Sequence, residues 1–323
     1  KTQHPRWHWL THANQRLALC PEVGGSIAAW QCNPGTHWMD LFRPAPPCVD
    51  AHHSLAANGM ACYPLVPWSN RIGGGGFMHA GRIHRLTRNT PDPYPLHGDA
   101  WQQAWQLGET TAQRACMHLV SHHHLQSPYC YQATQTIELG DRQLTHALPV
   151  QNLGHTSMPF GLGLHPWFIS TPQCVIHAPV QGVWLSAADR LPIQLSQVFP
   201  TGWNLNQGVQ PQQVNVDNAF HAWSGSARVV WPEWHMALQL QAQCEVSHQR
   251  KDLHLVLYAP DQEAVFCVEP VSHPINAAHL PGQPGWVTLA PGERMALHLK
   301  WQWQPIEAVA AVSGQTPVEK SPT

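Results

Sequence analysis

Short stretches in which apolar and polar residues alternate recur along the chain, and almost none follows the 3.6-residue period of a helix. Gln15–Cys20 and Ser26–Cys32 read as an opening pair of strands. Tyr131–Leu139 and Gln143–Gln151 alternate on either side of a Gly-Asp turn, the pattern of a β-hairpin. Further strands are predicted at Ala227–Trp231, His235–Gln241, Leu253–Tyr258, Ala264–Glu269 and Met295–Gln302. With 30 prolines and 23 glycines the chain is interrupted too often for long helices. The fold class expected is therefore all-β, a large antiparallel β-sandwich. No internal repeat and no dividing linker is visible, so residues 1–304 are expected to form one domain. The tail 305–323 has no core-forming pattern and is expected to be disordered.

Composition narrows what such a sandwich does. Charged residues are only 11% of the 323, against about 25% in an average protein. Net charge is −2 and no basic stripe occurs, which argues against nucleic acid and anionic membranes as partners. No apolar run approaches the ~20 residues of a spanning helix, so no membrane partner is expected. A small neutral molecule is the expected partner, bound by a monomer or homodimer. Nine cysteines, an odd number without CxxC spacing, point to a reducing compartment, and the cytoplasm is the expected location. No signal-peptide pattern is visible; a chain beginning at Lys1 does not decide whether a leader was removed.

Candidate chemistry lies where apolar runs meet proline. FGLGLHPWF places His165 before Pro166, and AVFCVEP places Glu269 before Pro270. Proline holds the preceding residue extended and withholds a ladder donor, so strand pairing is expected to stop there. The result is a stiffly mounted imidazole and a stiffly mounted carboxyl, as proton transfer over about 3 Å requires. Taken singly, each is an ordinary strand-end residue. Gly161 and Gly163 leave one face of the strand bare, where close packing or a ligand would exclude side chains.

PYPLHGDAW supplies His97 before a glycine, and PLVPWSNRIGGGGF supplies Asn70 and Arg71 before four glycines. That glycine run lacks the GK[ST] ending of a phosphate loop and reads as a mobile hairpin tip beside a cleft. VNVDNAF puts Asp217 in a polar loop, where a carboxylate accepts hydroxyl hydrogen bonds or merely makes an Asx-turn. The clusters His52–His53 and His122–His124 lack zinc spacing, and neighbours on a strand face opposite ways, so no metal is expected. Esterase, dinucleotide and NTPase motifs are missing, so those readings have no support.

In order, NR, LHG, HPWF, VDNAF, VEP and LAPGE resemble the aldose 1-epimerase (galactose mutarotase) family from about Leu17 to Trp303. The resemblance implies a large β-sandwich whose cleft interconverts the α and β anomers of a free aldose without a cofactor. By matching motif, Glu269 resembles the family's catalytic base, His165 its acid and His97 its second active-site histidine. Arg71, Asn70 and Asp217 resemble the residues that hold sugar hydroxyls. Trp68, Trp101 and Trp167 are candidates to stack on the sugar's apolar face. The chain departs from the family at Leu164, where asparagine is common, and at Trp167, where tyrosine is. It departs again after VEP, in VSHPINAAHLPGQPGW. The substrate expected is an aldohexose such as galactose or glucose. A phosphorylated or sulfonated sugar would need extra cations, for which Arg82, Arg85 and Arg88 are candidates. A non-catalytic carbohydrate-binding domain would lack Glu269 or His165, and both are present.

Overall fold

A computed structural model describes residues 6–35, 37–47, 53, 55–261 and 263–307. Among the described residues the regular structure is almost entirely antiparallel sheet. An 11-stranded sheet runs in the order His8–His12, Gln15–Cys20, Ser26–Cys32, Cys62–Leu65, Gly163–Ile169, Val265–Val271, Leu253–Ala259, Val216–Trp223, Gly182–Ser186, Pro192–Ser196. Met39–Asp40 pairs beside Ser26–Cys32. A 9-stranded sheet is built around Met236–Val246, Arg294–Pro305, Gln143–Asn152, Cys130–Gly140 and Arg114–His122. No helix among the described residues is long and apolar enough to cross a membrane.

The two sheets share one apolar core, as alternation demands. Leu17, Leu19 and Trp30 of the first sheet join Tyr131, Ile137, Leu148, Leu297 and Trp301 of the second. Phe42 and Phe168 meet Trp301 at ring-centroid separations of 5.4 and 6.1 Å. Gln15 is the polar bridge through this core. Its amide donates to the carbonyls of Gly140 and Gln143, and its carbonyl accepts from the indoles of Trp30 and Trp303. With partners on both ends, a buried amide costs little.

The strands read from alternation are present, the first two with the predicted limits. The hairpin is Cys130–Gly140 with Gln143–Asn152, turning at Asp141 and Arg142. Three expectations need correction. Pairing does not stop at His165 or Glu269: both lie inside strands, Gly163–Ile169 and Val265–Val271. Each proline removes a single donor, and the flanking ladder carries the strand across the gap. Asp217 is on strand Val216–Trp223, not in a loop. The glycine run is no hairpin tip. It makes a 3-10 turn at Gly73–Gly75, with the Gly73 N–H held by Asn276 Oδ1 at 2.8 Å, ahead of a hairpin of Gly76–His79 with Arg82–Arg85. Of the tail 305–323, residues 308–323 lie outside the described residues, as does His52.

The bare face of FGLGL is filled by packing. A Cβ on Gly161 would fall 2.0 Å from His273 Cδ2, and one on Gly163 2.8 Å from Val271 Cγ1. Eight cysteines, all among the described residues, are free thiols.

Burial holds several ionisable groups neutral. It lowers His146, His165 and His254 to about 3 and His273 to about 4, and takes His97 well below its usual value. It raises Asp99 to about 7 and Glu269 well above the carboxyl range. The linkage signs oppose. Below about pH 6.5 the unfolded chain protonates the five histidines and the folded chain does not, so acid destabilises. Asp99 and Glu269 keep their protons only when folded, which offsets two. A net uptake of about three protons on unfolding near pH 5.5 is expected, roughly 4 kcal/mol of stability lost per pH unit of acidification. Thermal unfolding across pH 5–7 checks this: a melting temperature independent of pH there would contradict it.

Candidate active site

Antiparallel register brings the two proline-flanked residues together. Gly163 pairs with Val271 and Trp167 with Cys267, so His165 falls opposite Glu269 on the same sheet face. Between those pairs the ladder has a gap, where Pro166 and Pro270 supply no N–H. On the other side His165 pairs with Tyr63, while Tyr258 pairs with both Cys267 and Asp217. One face of five neighbouring strands thus presents Tyr63, His165, Trp167, Glu269, Tyr258 and Asp217 to a single cleft.

The cleft has a volume of about 290 Å3, at the small end for ligand sites and of monosaccharide scale. Its lining also includes Asn58, Asn70, Arg71, Leu96, His97 and Arg190. At its floor His165 Nε2 lies 3.4 Å from Glu269 Oε1. Both residues are buried, at 6% and 1% exposure. Glu269 Oε2 and His165 Nδ1 have no hydrogen-bond partner. Tyr63 stacks on the imidazole at 4.6 Å and 18°, and Trp167 covers it at 5.2 Å. Arg43 lies over the Trp167 ring at 4.2 Å, held by the carbonyls of Asn58 and Met60. Desolvation is the main reason His165 stays neutral, with the Arg43 charge adding to it. Desolvation likewise raises Glu269, reinforced by the Asp217 carboxylate.

His97 stands edge-on to His165, centroids 5.1 Å apart. Its backbone is left-handed at φ 63°, a conformation that asparagine and histidine tolerate best among side-chain-bearing residues. A reciprocal pair holds it there: the His97 N–H donates to Asn70 O, and the Asn70 N–H donates to His97 Nδ1, both at 3.0 Å. Because Nδ1 accepts, the ring proton is assigned to Nε2, making His97 a neutral donor. Gly98 follows because a Cβ there would lie 2.0 Å from Val66 O.

Arg71 is pinned on three sides. Its Nε donates to Asp92 at 2.9 Å, and its Nη1 to Asp217 and to Asn70 Oδ1, both at 3.2 Å. The loop that follows the Glu269 strand braces this segment. His273 donates from Nδ1 to Pro274 O and accepts the Ser69 N–H on Nε2; the Asn276 N–H donates to Arg71 O. VSHPIN, one of the stretches that depart from the family, is therefore structural support for Asn70 and Arg71.

All seven residues expected from the sequence line one cleft: Glu269, His165, His97, Arg71, Asn70, Asp217 and Trp167. Trp68 and Trp101 do not line it and are core residues at 3% and 1% exposure. Nor do Arg82, Arg85 and Arg88. Sequence reasoning missed Tyr63, Tyr258, Asn58 and Arg190. Arg190 is a rim cation 3.3 Å from Asp217. Only the register identifies Tyr63 and Tyr258, which carry no local motif. His122 and His123 bond locally, to Cys130 Sγ and Ser127 O. Among the described residues, the one group of three or more with metal-ligand geometry is His165, Cys267 and Glu269, and the sequence did not point to it.

The fold and the relatives of the chain define a sugar epimerase. A sequence profile of the aldose 1-epimerases matches residues 8–302, and the chain belongs to that family of isomerases. It is 32% identical over 304 residues to the uncharacterized protein YphB of Escherichia coli K12, covering 90% of this chain and 98% of YphB. A solved structure of a provisional aldose 1-epimerase from Escherichia coli K12 superposes with a TM-score of 0.83 at 27% identity, covering 93% of this chain and 99% of that one. A galactose 1-epimerase from Lactobacillus acidophilus has the same fold, with a TM-score of 0.71 at 14% identity, covering 94% and 100%.

Arg71→Lys keeps the charge, but one ammonium cannot span Asp92, Asp217 and Asn70 as the guanidinium fork does. A loss of about 2 kcal/mol is expected from the buried charged hydrogen bonds, read by urea unfolding. Unchanged stability would show that the pinning contributes nothing.

Proposed function

We propose that this enzyme interconverts the α and β anomers of a free aldohexose such as galactose or glucose by acid–base ring opening and reclosure. The observation that carries the reading is the buried His165–Glu269 pair, 3.4 Å apart on the floor of a sugar-sized cleft. Ring opening needs a proton taken from the anomeric hydroxyl and one delivered to the ring oxygen. Glu269 takes the first, His165 gives the second, and His97 donates a hydrogen bond at the reacting end. Arg71, Asn70 and Asp217 hold hydroxyls, and Trp167 offers an apolar face. After rotation about C1–C2 the aldehyde closes from its other face, with the two roles exchanged.

At neutral pH the expectation from chemistry alone is an ionised Glu269 beside a protonated His165. Burial favours the other placement, with carboxyl and imidazole both neutral. The two placements contain the same single proton, and the facing atoms give it a short path. The ionised pair is consumed in opening the ring and the neutral pair is left beside the aldehyde. Low polarity at the floor therefore favours the state that accompanies the open chain. Charge supports a neutral sugar: Arg71 and Arg190 face Asp92 and Asp217, which leaves no surplus cation for an anionic substituent.

Anomer interconversion followed by polarimetry or NMR tests the reading. Glu269→Gln and His165→Asn should each lower kcat by about 10²–10⁴-fold while sugar still binds. Because the pair keeps its one proton over a wide range, kcat/KM should be flat from pH 5.5 to 8. Near-normal rates in Glu269→Gln, or an acid limb near 6.5 in the native enzyme, would refute the assigned chemistry.

A further inference from the structure

Cys267 takes no part in the proton transfers just described, yet the register puts it beside both groups that do. It sits two residues before Glu269 on the same strand face, directly opposite Trp167 and Tyr258. One donor atom from each of His165, Cys267 and Glu269 lies within 4.8 Å of the other two. Nitrogen, sulfur and oxygen in one such group are the ligand types of zinc. Two further observations point to a ligand: Glu269 Oε2 and His165 Nδ1 are buried without partners. Access exists, because His165 and Glu269 line the cleft and Cys267 lies behind them.

We propose that His165, Cys267 and Glu269 form a latent site for a thiophilic divalent cation such as Zn2+, with the fourth coordination position facing the cleft. The site itself stands on geometry; that its occupancy inhibits rests on the proton-transfer roles given to His165 and Glu269. On binding, the cation displaces the proton of the Cys267 thiol and that of the Glu269 carboxyl, and both pass to solvent. Two anionic ligands and a neutral imidazole then balance the dication, with Arg43, Arg71 and Asp217 as the charged neighbours. Zinc–ligand bonds of about 2.0–2.3 Å require the donors to close in by roughly 1 Å. The open ladder beside Pro166 and Pro270 gives these strands room to do so. Ions that prefer oxygen, such as Mg2+, gain nothing from the sulfur and are not expected to compete.

Co2+ added to the reduced protein is the test, because thiolate ligation gives it a charge-transfer absorption that other ligands do not. One equivalent should develop that band, Zn2+ should bleach it, and Zn2+ should stop mutarotation until a chelator restores it. Cys267→Ser and Cys267→Ala should keep mutarotation, lose the band, and need at least ten-fold more Zn2+ for inhibition. No band in the native protein, or a band unchanged in both variants, overturns the site. A band in a protein with no mutarotase activity would sink the functional reading instead and leave the site standing.

Discussion

Everything in the cleft depends on one arrangement: a carboxyl and an imidazole buried opposite each other on neighbouring antiparallel strands. Placing either alone in so dry a position would cost several kcal/mol as an ion, so each is held neutral. Held neutral, the pair contains a single proton. The prolines that follow them do not end the strands. They remove two ladder hydrogen bonds at the place where the pair sits, which leaves a small opening in an otherwise continuous sheet.

Around that pair the structure spends rigid side chains rather than loops. Tyr63 and Trp167 cover the His165 ring, and Arg43 fixes Trp167 from outside. His97 comes from a loop, but a reciprocal pair of bonds with Asn70 and a glycine that admits no Cβ leave it one orientation. The stiffness has a cost in acid. Of the five histidines that burial keeps neutral, His97, His165 and His273 belong to the site or its brace. The neutral state of the cleft histidines and the acid sensitivity expected of the fold have the same cause, burial.

The sheet was legible because alternation is a local signal, and Gln15–Cys20, Ser26–Cys32 and the hairpin around Asp141 came out nearly as read. Where the reading failed, the deciding interaction was not local. Proline at 166 and 270 looks like a strand terminator until neighbouring strands are known to carry the ladder past it. Asp217 sits among polar residues and reads as loop, yet pairing with Tyr258 makes it strand. The seven residues that motifs mark do line one cleft. Tyr63, Tyr258 and Arg190 have no motif and become visible only once register and loop placement are fixed. Trp68 and Trp101 were named for their type, and type does not tell a stacking surface from a core.

The departures from the family pattern then take on a physical meaning. Leu164 lies on the core side of its strand, fully buried, so an apolar residue there serves packing and leaves the cleft face untouched. VSHPIN follows Glu269 without a break, and its His273 and Asn276 hold Ser69, Arg71 and Gly73 by hydrogen bonds. Gly161 is bare because that same His273 ring occupies the space its side chain would need. One continuous segment therefore carries Glu269 and supports Arg71, both of which line the cleft. Three hydrogen bonds tie this segment to residues 69–73. Substitutions in this stretch should be read first as changes in the pose of Arg71, because none of these bracing side chains lines the cleft.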